Sequence, residues 1–297
     1  MAFEDQLQVE SSTASSNEQL EDQCLIETMS NKPKKVAQQG VSQRTVRLRH
    51  SGTKEYDDQD HVANEVPVAF AYNGNSHAVM MASPVDLYDF AVGFSITESV
   101  IDSIDDILDI DIRHAHQGIT IQLDIPDHLV ERMEARQRKF SGRSGCGICG
   151  ITDIAAALPT LESLSESDIP CHDIIQQATM TLLENQVMQR DCGGVHCAGL
   201  FDSNGKLLAI REDVGRHNAL DKLIGAQIGK IKPDYFVFMS SRASHELIIK
   251  TAKANIGTLV SISAATGLAI DVAESLNINL IGFIRGNKQI IYTSNSS

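Results

Sequence analysis

Two cysteines stand three residues apart in a glycine-rich stretch, residues 141–150, whose sequence is SGRSGCGICG. Glycine lets the backbone adopt positive φ, so four glycines around Cys146 and Cys149 predict a mobile, exposed thiol loop rather than a core segment. A thiolate in such a loop can act as a nucleophile, a metal ligand or a redox group. The chemistry of this chain is therefore expected to centre on residues 141–150.

Positive charge precedes the two cysteines. Residues 131–143 contain five basic side chains, those of Arg132, Arg136, Arg138, Lys139 and Arg143, against the acidic Glu131 and Glu134. The ordinary interpretation is the solvated face of a helix. Beside a thiol pair the alternative is a positive field that stabilises thiolate and attracts an anionic ligand. A short helix predicted at 152–158 would add its N-terminal dipole, which also favours the thiolate.

Three kinds of site are compatible with this Cys-x-x-Cys pair. A thioredoxin-like redox centre needs the pair at a strand-to-helix junction of a compact βαβ unit, whereas here it follows a long glycine loop. A structural zinc site needs four ligands, so Cys146 and Cys149 would have to recruit Cys192, His196 or Cys197. A sulfur-carrying site needs a nucleophilic thiolate that can hold a persulfide, and loop mobility with nearby positive charge favours this third interpretation.

The other cysteines and His196 carry weaker signals. Residues 191–198, DCGGVHCA, place His196 and Cys197 on a predicted strand. A satisfied core histidine and a small buried apolar residue are the commoner roles for such positions. We assign structural roles to both, and also to Cys24 and Cys171.

Polar runs follow the strands of the second half of the chain. They lie at 211–218 (REDVGRHN), 240–244 (SSRAS), 264–267 (AATG) and 283–288 (FIRGNK). Helix capping explains each run singly, but loops at the ends of parallel strands are where α/β proteins place ligand contacts. Helix N-termini favour anionic groups, and Arg285 and Lys288 add positive charge. Together the runs predict a phosphate or nucleotide cradle.

Hydrophobic periodicity predicts an α/β fold with two parts. Alternating patterns at 45–49, 65–72, 78–82, 108–112 and 119–123 indicate a mostly antiparallel N-terminal part. Ser83 and Pro84 predict the N-cap and first position of a helix that runs toward Ser99. A helix is also predicted at 173–188. From residue 218 onward helices and strands alternate, which is typical of βαβ crossovers and a parallel sheet that ends at 280–284, with an edge strand at 289–292.

Composition limits the domain organisation and the partners. Residues 1–42 are acidic and polar, which predicts a disordered extension, and 43–297 form one domain. That domain has a possible subdivision into 43–140 and 151–297, joined by the thiol loop. A net charge of −14 argues against nucleic-acid binding. The apolar runs are too short to cross a bilayer, and the N-terminus lacks the pattern of a signal peptide. The six cysteines do not resemble a disulfide scaffold. We therefore expect a cytoplasmic protein.

Several motifs in one order resemble the FdhD family of formate dehydrogenase accessory sulfurtransferases over about residues 43 to 293. The motifs are EVPV at 65–68, YNG at 72–74, HAVMMA at 77–82, SGCGICG at 144–150, GGVH at 193–196, EDVGRHNALDK at 212–222 and SRAS at 241–244. The resemblance implies that Cys146 carries the persulfide and that Cys149 assists it. It also implies that the contact with a guanine dinucleotide is made by Phe283, Ile284, Arg285, Gly286, Asn287 and Lys288.

The resemblance further implies a cytidine-deaminase-like, three-layer α/β fold without a structural metal. Sulfur would be accepted from a cysteine desulfurase and passed to the molybdenum or tungsten of bis-molybdopterin guanine dinucleotide before insertion into formate dehydrogenase. A homodimer fits the family. The alternative from another class is a non-catalytic cofactor chaperone in which the thiols are incidental. A zinc-dependent deaminase would need His-x-Glu and Pro-Cys-x-x-Cys motifs, and neither is present in the sequence.

Overall fold

The computed structural model describes residues 40–51, 54–140 and 161–294, with the backbone alone over 136–140. Most of the predicted extension, residues 1–39, lies outside the described residues, while Val41 and Ser42 at its end belong to the first strand. The thiol loop at 141–150 and the helix predicted at 152–158 also lie outside them.

The first half of the described chain forms a two-stranded ribbon and a four-stranded sheet. The ribbon pairs β1 (Val41–Leu48) with β2 (Tyr56–Ala63). The sheet has the order β4-β3-β6-β5, built from β3 (Val66–Tyr72), β4 (Asn75–Ala82), β5 (Asp109–Ala115) and β6 (Gly118–Asp124). The antiparallel pairing predicted for this part is confirmed in two hairpins, β3–β4 and β5–β6, whereas the central β3 and β6 are parallel. Strand β2 was not predicted, because its sequence, YDDQDHVA, lacks apolar alternation.

The second half forms a six-stranded sheet of order β12-β11-β10-β9-β7-β8. Its strands are β7 (His196–Phe201), β8 (Leu207–Asp213), β9 (Phe236–Met239), β10 (Thr258–Ser261), β11 (Asn279–Arg285) and β12 (Lys288–Thr293). The predicted parallel arrangement is confirmed for β9, β10 and β11. Antiparallel strands flank them, since β7 pairs with β8 and β9, and β12 pairs with β11.

Seven α-helices lie in the described residues. They are α1 (Leu87–Thr97), α2 (Asp127–Phe140), α3 (His172–Asn185), α4 (Val187–Cys192), α5 (Arg216–Gln227), α6 (His245–Lys253) and α7 (Gly267–Ser275). Apolar side chains of α5, α6 and α7 fill one face of the six-stranded sheet, and those of α3 fill the other. The four-stranded sheet packs against α1 and α2.

Two helix predictions are wrong in detail. Helix α1 begins at Leu87 after Asp86 at φ 53°, so Ser83 and Pro84 do not start it. Ser83 is completely buried instead, and its hydroxyl accepts a hydrogen bond from Val214 N at 3.2 Å. The helix predicted at 173–188 is two helices, because the chain breaks at Gln186 between α3 and α4.

The two sheets are joined where α1 crosses α5. A Cβ on Gly93 would lie 1.7 Å from the carbonyl oxygen of Asp221, and one on Gly225 would lie 1.9 Å from that of Asp89. Both distances are shorter than any real contact, so the backbones approach as closely as glycine alone permits. Gly93 and Gly225 therefore set the distance between α1 and α5, and with it the distance between the two sheets on which these helices pack.

We expect Gly225→Ala to lower the free energy of unfolding by about 1–3 kcal/mol, since the new methyl group meets backbone rather than a movable side chain. Urea denaturation of the full chain measures this. Gly267→Ala, at the first residue of α7, is the matched control because its Cβ would meet open space, and it should change the value by about 0.5 kcal/mol or less. Equal losses in the two variants would contradict the tight crossing.

Candidate functional site

The polar runs of the second half meet at one edge of the six-stranded sheet. His196 at the start of β7 pairs with Asp213 at the end of β8, and Ala198 pairs with Met239 at the end of β9. The parallel strands β10 and β11 end at the same edge. We call this edge the strand-end site, formed by residues 196–197, 213–217, 240–246, 262–266 and 283–285.

Hydrogen bonds hold the loops of the strand-end site together. Cys197 N donates to Ser240 Oγ at 2.8 Å, which joins β7 to the loop after β9. Ala243 N donates to Ala264 O at 3.2 Å, and this joins the loops after β9 and β10. Phe283 N donates to Ser263 O at 3.1 Å, and so brings in the end of β11. The structure thus brings together runs that the sequence placed separately.

Asp213 is the polar centre beneath this edge. Its side chain is completely buried, and Oδ1 accepts hydrogen bonds from Gly215 N at 2.8 Å and Asn218 Nδ2 at 2.9 Å. Oδ2 accepts from Ser83 N at 3.0 Å and Lys222 Nζ at 2.6 Å. Four donors on one carboxylate fix the turn that leads into α5.

Lys222 is the charged partner of Asp213 and is completely buried as well. Burial lowers the pKa of Lys222, and the Asp213 carboxylate opposes that effect. Its ammonium group also donates to Ser83 O at 2.9 Å. The pair therefore fastens α5 to the segment between β4 and α1.

A second buried network lies at the end of α1. Lys250 Nζ donates to Thr97 Oγ1 at 2.9 Å, Glu98 Oε1 at 2.8 Å and Asp221 Oδ2 at 3.0 Å. Burial would lower the pKa of Lys250, but the Asp221 and Glu98 carboxylates outweigh it and raise the pKa overall. Because Asp221 also accepts from Thr97 Oγ1 at 2.7 Å, this network ties α1, α5 and α6 together.

The structure separates residues 212–222 into two groups. Five polar side chains are buried and serve the fold: Glu212, Asp213, Asn218, Asp221 and Lys222. Glu212, for example, accepts hydrogen bonds from Met188 N at 2.8 Å and Gln189 N at 2.9 Å at the start of α4. Arg216 and His217 remain partly exposed at the start of α5. The sequence singled out the run but could not tell these two residues from the other five.

Arg216 and His217 both approach Glu246 in the first turn of α6. His217 Nε2 lies 2.7 Å from Glu246 Oε2, and Arg216 Nη2 lies 4.0 Å from the same oxygen. The contact with His217, together with the charges of His217, His245 and Arg216, lowers the pKa of Glu246 to about 2 against the effect of burial. Glu246 is therefore a carboxylate at any physiological pH.

His196 was predicted to be a core histidine, but the structure places it at the rim of the strand-end site. It is partly buried, and burial lowers its pKa, as do the positive charges of Arg216 and His217. Its imidazole is therefore held in the neutral form near neutral pH. The signal that was missed is the pairing of His196 with the end of β8, which no local pattern reveals.

Residues 283–288 complete β11, form the turn after it and begin β12. Phe283 has a φ of 52°, and the Arg285 guanidinium lies 5.1 Å from the centre of its ring and donates to Ile262 O at 3.1 Å. Asn287 Oδ1 lies 2.8 Å from His172 Nε2 at the start of α3. Phe283 and Arg285 thus reach the strand-end site, Gly286 and Lys288 are exposed, and the Ile284 side chain packs in the core against α3.

Cys146 and Cys149 lie outside the described residues. Among the cysteines that the structure describes, Cys171, Cys192 and Cys197 are free thiols. Cys197 is buried, as predicted, and burial raises its pKa well above the ordinary value. Within residues 40–51, 54–135 and 161–294, no group of three or more His, Cys, Asp or Glu side chains is arranged to hold a metal ion. No helix in the described part is long and apolar enough to span a bilayer.

Comparison with known proteins gives one consistent result. The family model described as the FdhD/NarQ family matches residues 63–297. The chain is 42% identical over 271 residues to the sulfur carrier protein FdhD of Xanthomonas campestris pv. campestris (strain B100), which covers 89% of this chain and 95% of that protein. It is 43% identical over 236 residues to the protein of the same name from Cupriavidus necator, with 78% and 82% covered.

A solved structure shares the fold. It comes from Desulfotalea psychrophila and was assigned as a formate dehydrogenase accessory protein. The TM-score is 0.63 at 22% identity, with 86% of this chain and 97% of that chain covered. The mixed α/β architecture with parallel and antiparallel sheets is therefore common to both.

We expect Lys222→Met to lower the free energy of unfolding by about 3–5 kcal/mol, because it leaves the Asp213 carboxylate buried without its counter-charge. Lys230→Met, on the exposed turn after α5, should change it by about 0.5 kcal/mol or less. The double variant Asp213→Asn with Lys222→Met should recover part of the loss, since the unpaired charge is gone. Urea denaturation measures all three, and a Lys222→Met protein as stable as the wild type would refute the pairing.

A pH dependence follows from Glu246. A carboxylate whose pKa falls from 4.5 to about 2 on folding stabilises the protein above pH 4.5, and that contribution is lost as the pH falls toward 2. The difference in unfolding free energy between wild type and Glu246→Gln should therefore shrink as the pH is lowered from about 6 to about 3. Glu131→Gln, an exposed glutamate on α2, controls for loss of a surface carboxylate. A difference that grows on acidification would contradict the assignment.

Proposed function

Because this chain belongs to the FdhD/NarQ family, we propose that it is a sulfurtransferase required for formate dehydrogenase activity. It carries sulfur as a cysteine persulfide and delivers it to the molybdenum cofactor before the cofactor enters formate dehydrogenase. The name of its relatives, sulfur carrier protein, supports the sulfur half of this proposal. The accessory protein from Desulfotalea psychrophila supports the formate dehydrogenase half.

In the proposed reaction Cys146 is the sulfur carrier. Its thiolate attacks the outer sulfur of a persulfide on a cysteine desulfurase, so that the S–S bond to the desulfurase breaks and one to Cys146 forms. No electrons are gained or lost overall in this exchange. Cys149 then assists release of the sulfur by thiol exchange. Of the basic residues before the pair, Arg132 is ion-paired with Asp102 at 2.7 Å, so the thiolate would be favoured by those nearer to it in the chain, Arg136, Arg138, Lys139 and Arg143.

The proposed acceptor is bis-molybdopterin guanine dinucleotide carrying molybdenum or tungsten, which binds as substrate. The observation that carries this half is the joining of β7 to the ends of β9, β10 and β11 at the strand-end site, where Arg216 and Arg285 also lie. Guanidinium groups and helix N-termini recognise phosphate groups. The guanine dinucleotide contact is assigned to 283–288, where the Ile284 side chain is turned inward, so that residue would contribute through its backbone.

The finer features of the family complete the proposal. The six-stranded sheet with helices on both faces supports a cytidine-deaminase-like arrangement, and we propose that the protein works without a resident structural metal. A homodimer is the proposed assembly. The free thiols of the described cysteines are consistent with the reducing cytoplasm as the place of the reaction.

Replacing Cys146 tests the proposal directly. The full chain is incubated with a cysteine desulfurase and cysteine, and intact-protein mass spectrometry then looks for one added sulfur atom. We expect that atom on the wild type and on Cys171→Ala, an exposed cysteine outside the pair, and not on Cys146→Ala. The Cys146→Ala protein should still bind guanosine diphosphate but should not mature formate dehydrogenase.

Two results would count against sulfur transfer through Cys146. Normal maturation by Cys146→Ala would remove its role as carrier. Absence of added sulfur on the wild type, with cofactor binding intact, would favour the non-catalytic chaperone.

A further inference from the structure

His217 is a polar residue of the run 212–222 whose side chain stays partly exposed. Its neighbours Asn218 and Lys222 are buried, and both donate hydrogen bonds to the buried Asp213 carboxylate. The side chain of His217 is 26% exposed, so it is open to a bound molecule. It is the second residue of α5, and the turn that leads into the helix is held by the Asp213 carboxylate, which accepts a hydrogen bond from Gly215 N at the N-cap. A rigid backbone under an accessible imidazole is the arrangement expected of a working residue.

Glu246 orients the His217 ring. Nε2 of His217 lies 2.7 Å from the Glu246 carboxylate, and since that carboxylate stays ionised, Nε2 carries a proton. The contact is short, but Nε2 does not make a well-aligned hydrogen bond with any of the described residues. Such pairs often align only when substrate binds. Nδ1 is left as the nitrogen that can accept a proton from a ligand.

The other imidazoles around the site are less suited to moving protons. His196 is held neutral by burial and by the charges of Arg216 and His217. His245 raises the positive charge around Glu246 but has no contact with it as close as that of His217. Of the three, His217 is the one paired with a carboxylate, which stabilises the imidazolium when it forms.

We propose that His217, oriented by Glu246, is a catalytic residue. It moves protons from the delivered sulfur to the oxygen ligand that this sulfur replaces on the metal of the bound cofactor. The proposal rests on the proposed function and adds to it a proton-transfer group. It applies to an acceptor that enters with a terminal oxygen ligand. The site would then serve both to bind the anionic cofactor and to catalyse the ligand exchange.

The exchange balances in atoms and electrons. The Cys149 thiol attacks the inner sulfur of the Cys146 persulfide, a Cys146–Cys149 disulfide forms, and the outer sulfur leaves as hydrogen sulfide with both protons. The two thiol electrons reduce that sulfur from the zero-valent to the sulfide state. Hydrogen sulfide then replaces the oxygen ligand, which departs as water, so two protons pass from sulfur to oxygen. A cellular dithiol reduces the disulfide for the next cycle.

Reconstitution of formate dehydrogenase tests the proposal. The full chain is supplied with a cysteine desulfurase, cysteine, a dithiol, the oxygen-ligated cofactor and formate dehydrogenase lacking cofactor. We expect His217→Ala and His217→Gln to slow maturation by about 100-fold or more, the usual effect of removing a general acid–base group. Both variants should take up sulfur on Cys146 and bind guanosine diphosphate like the wild type. Glu246→Gln should slow maturation less, because the imidazole remains.

Chemical rescue separates catalysis from a structural role. Added imidazole should restore part of the maturation rate of His217→Ala, since it can occupy the space left by the side chain. It should not affect His114→Gln, a control at an exposed histidine on β5 that should mature formate dehydrogenase like the wild type. Imidazole should also leave Cys146→Ala inactive, because that variant lacks the sulfur itself.

Several outcomes would overturn the role of His217. They are wild-type maturation by His217→Ala and His217→Gln, a loss of guanosine diphosphate binding that accounts for the slower maturation, and failure of imidazole to restore any rate. In each of these outcomes sulfur uptake on Cys146 is unchanged. Failure of that uptake in the wild type would instead refute the proposed function, so the two failures are distinguishable.

Discussion

Helices α1 and α5 cross so closely that neither can carry a Cβ at the point of contact. On one side of the crossing Lys222 is paired with Asp213, and on the other Lys250 is paired with Asp221 and Glu98. The start of α5 carries Arg216 and His217 of the strand-end site. The crossing therefore fixes where those side chains stand relative to both sheets.

The buried charges at this crossing are better understood as specifying geometry than as adding stability. Removing two ions from water has a cost that their attraction often only offsets. An apolar core would tolerate small slips between α1 and α5, whereas Asp213 accepts from four donors and is satisfied in a single arrangement. We infer that the network is retained because the turn before α5 must be placed accurately.

The local sequence pattern predicted most of the helices and strands, but not which contacts the polar side chains make. Both hairpins and the parallel strands β9 to β11 follow from periodicity, which is a local property of the chain. Ser83 has the sequence signature of a helix cap, yet it bonds Val214, which lies 131 residues away in the chain. Likewise, no local pattern distinguishes Asp213, whose side chain is buried and hydrogen-bonded within the fold, from His217, whose side chain stays partly exposed. Such assignments depend on long-range contacts, and a single sequence does not contain them.

The net charge of a chain does not describe the local charge of one of its surfaces, and the strand-end site is an example. The chain carries a net charge of −14, yet Arg216, Arg242, His245 and Arg285 all lie on the loops of one edge. Charges further apart than about 8 Å are largely screened at physiological salt, so a bound anion responds mainly to its nearest neighbours. Of the two acidic residues there, Asp213 is buried and paired with Lys222, and the charge of the partly exposed Glu246 is offset by the contact with His217 and by Arg216. A chain with a net negative charge can thus present a locally positive surface where a few cations and backbone N–H groups converge.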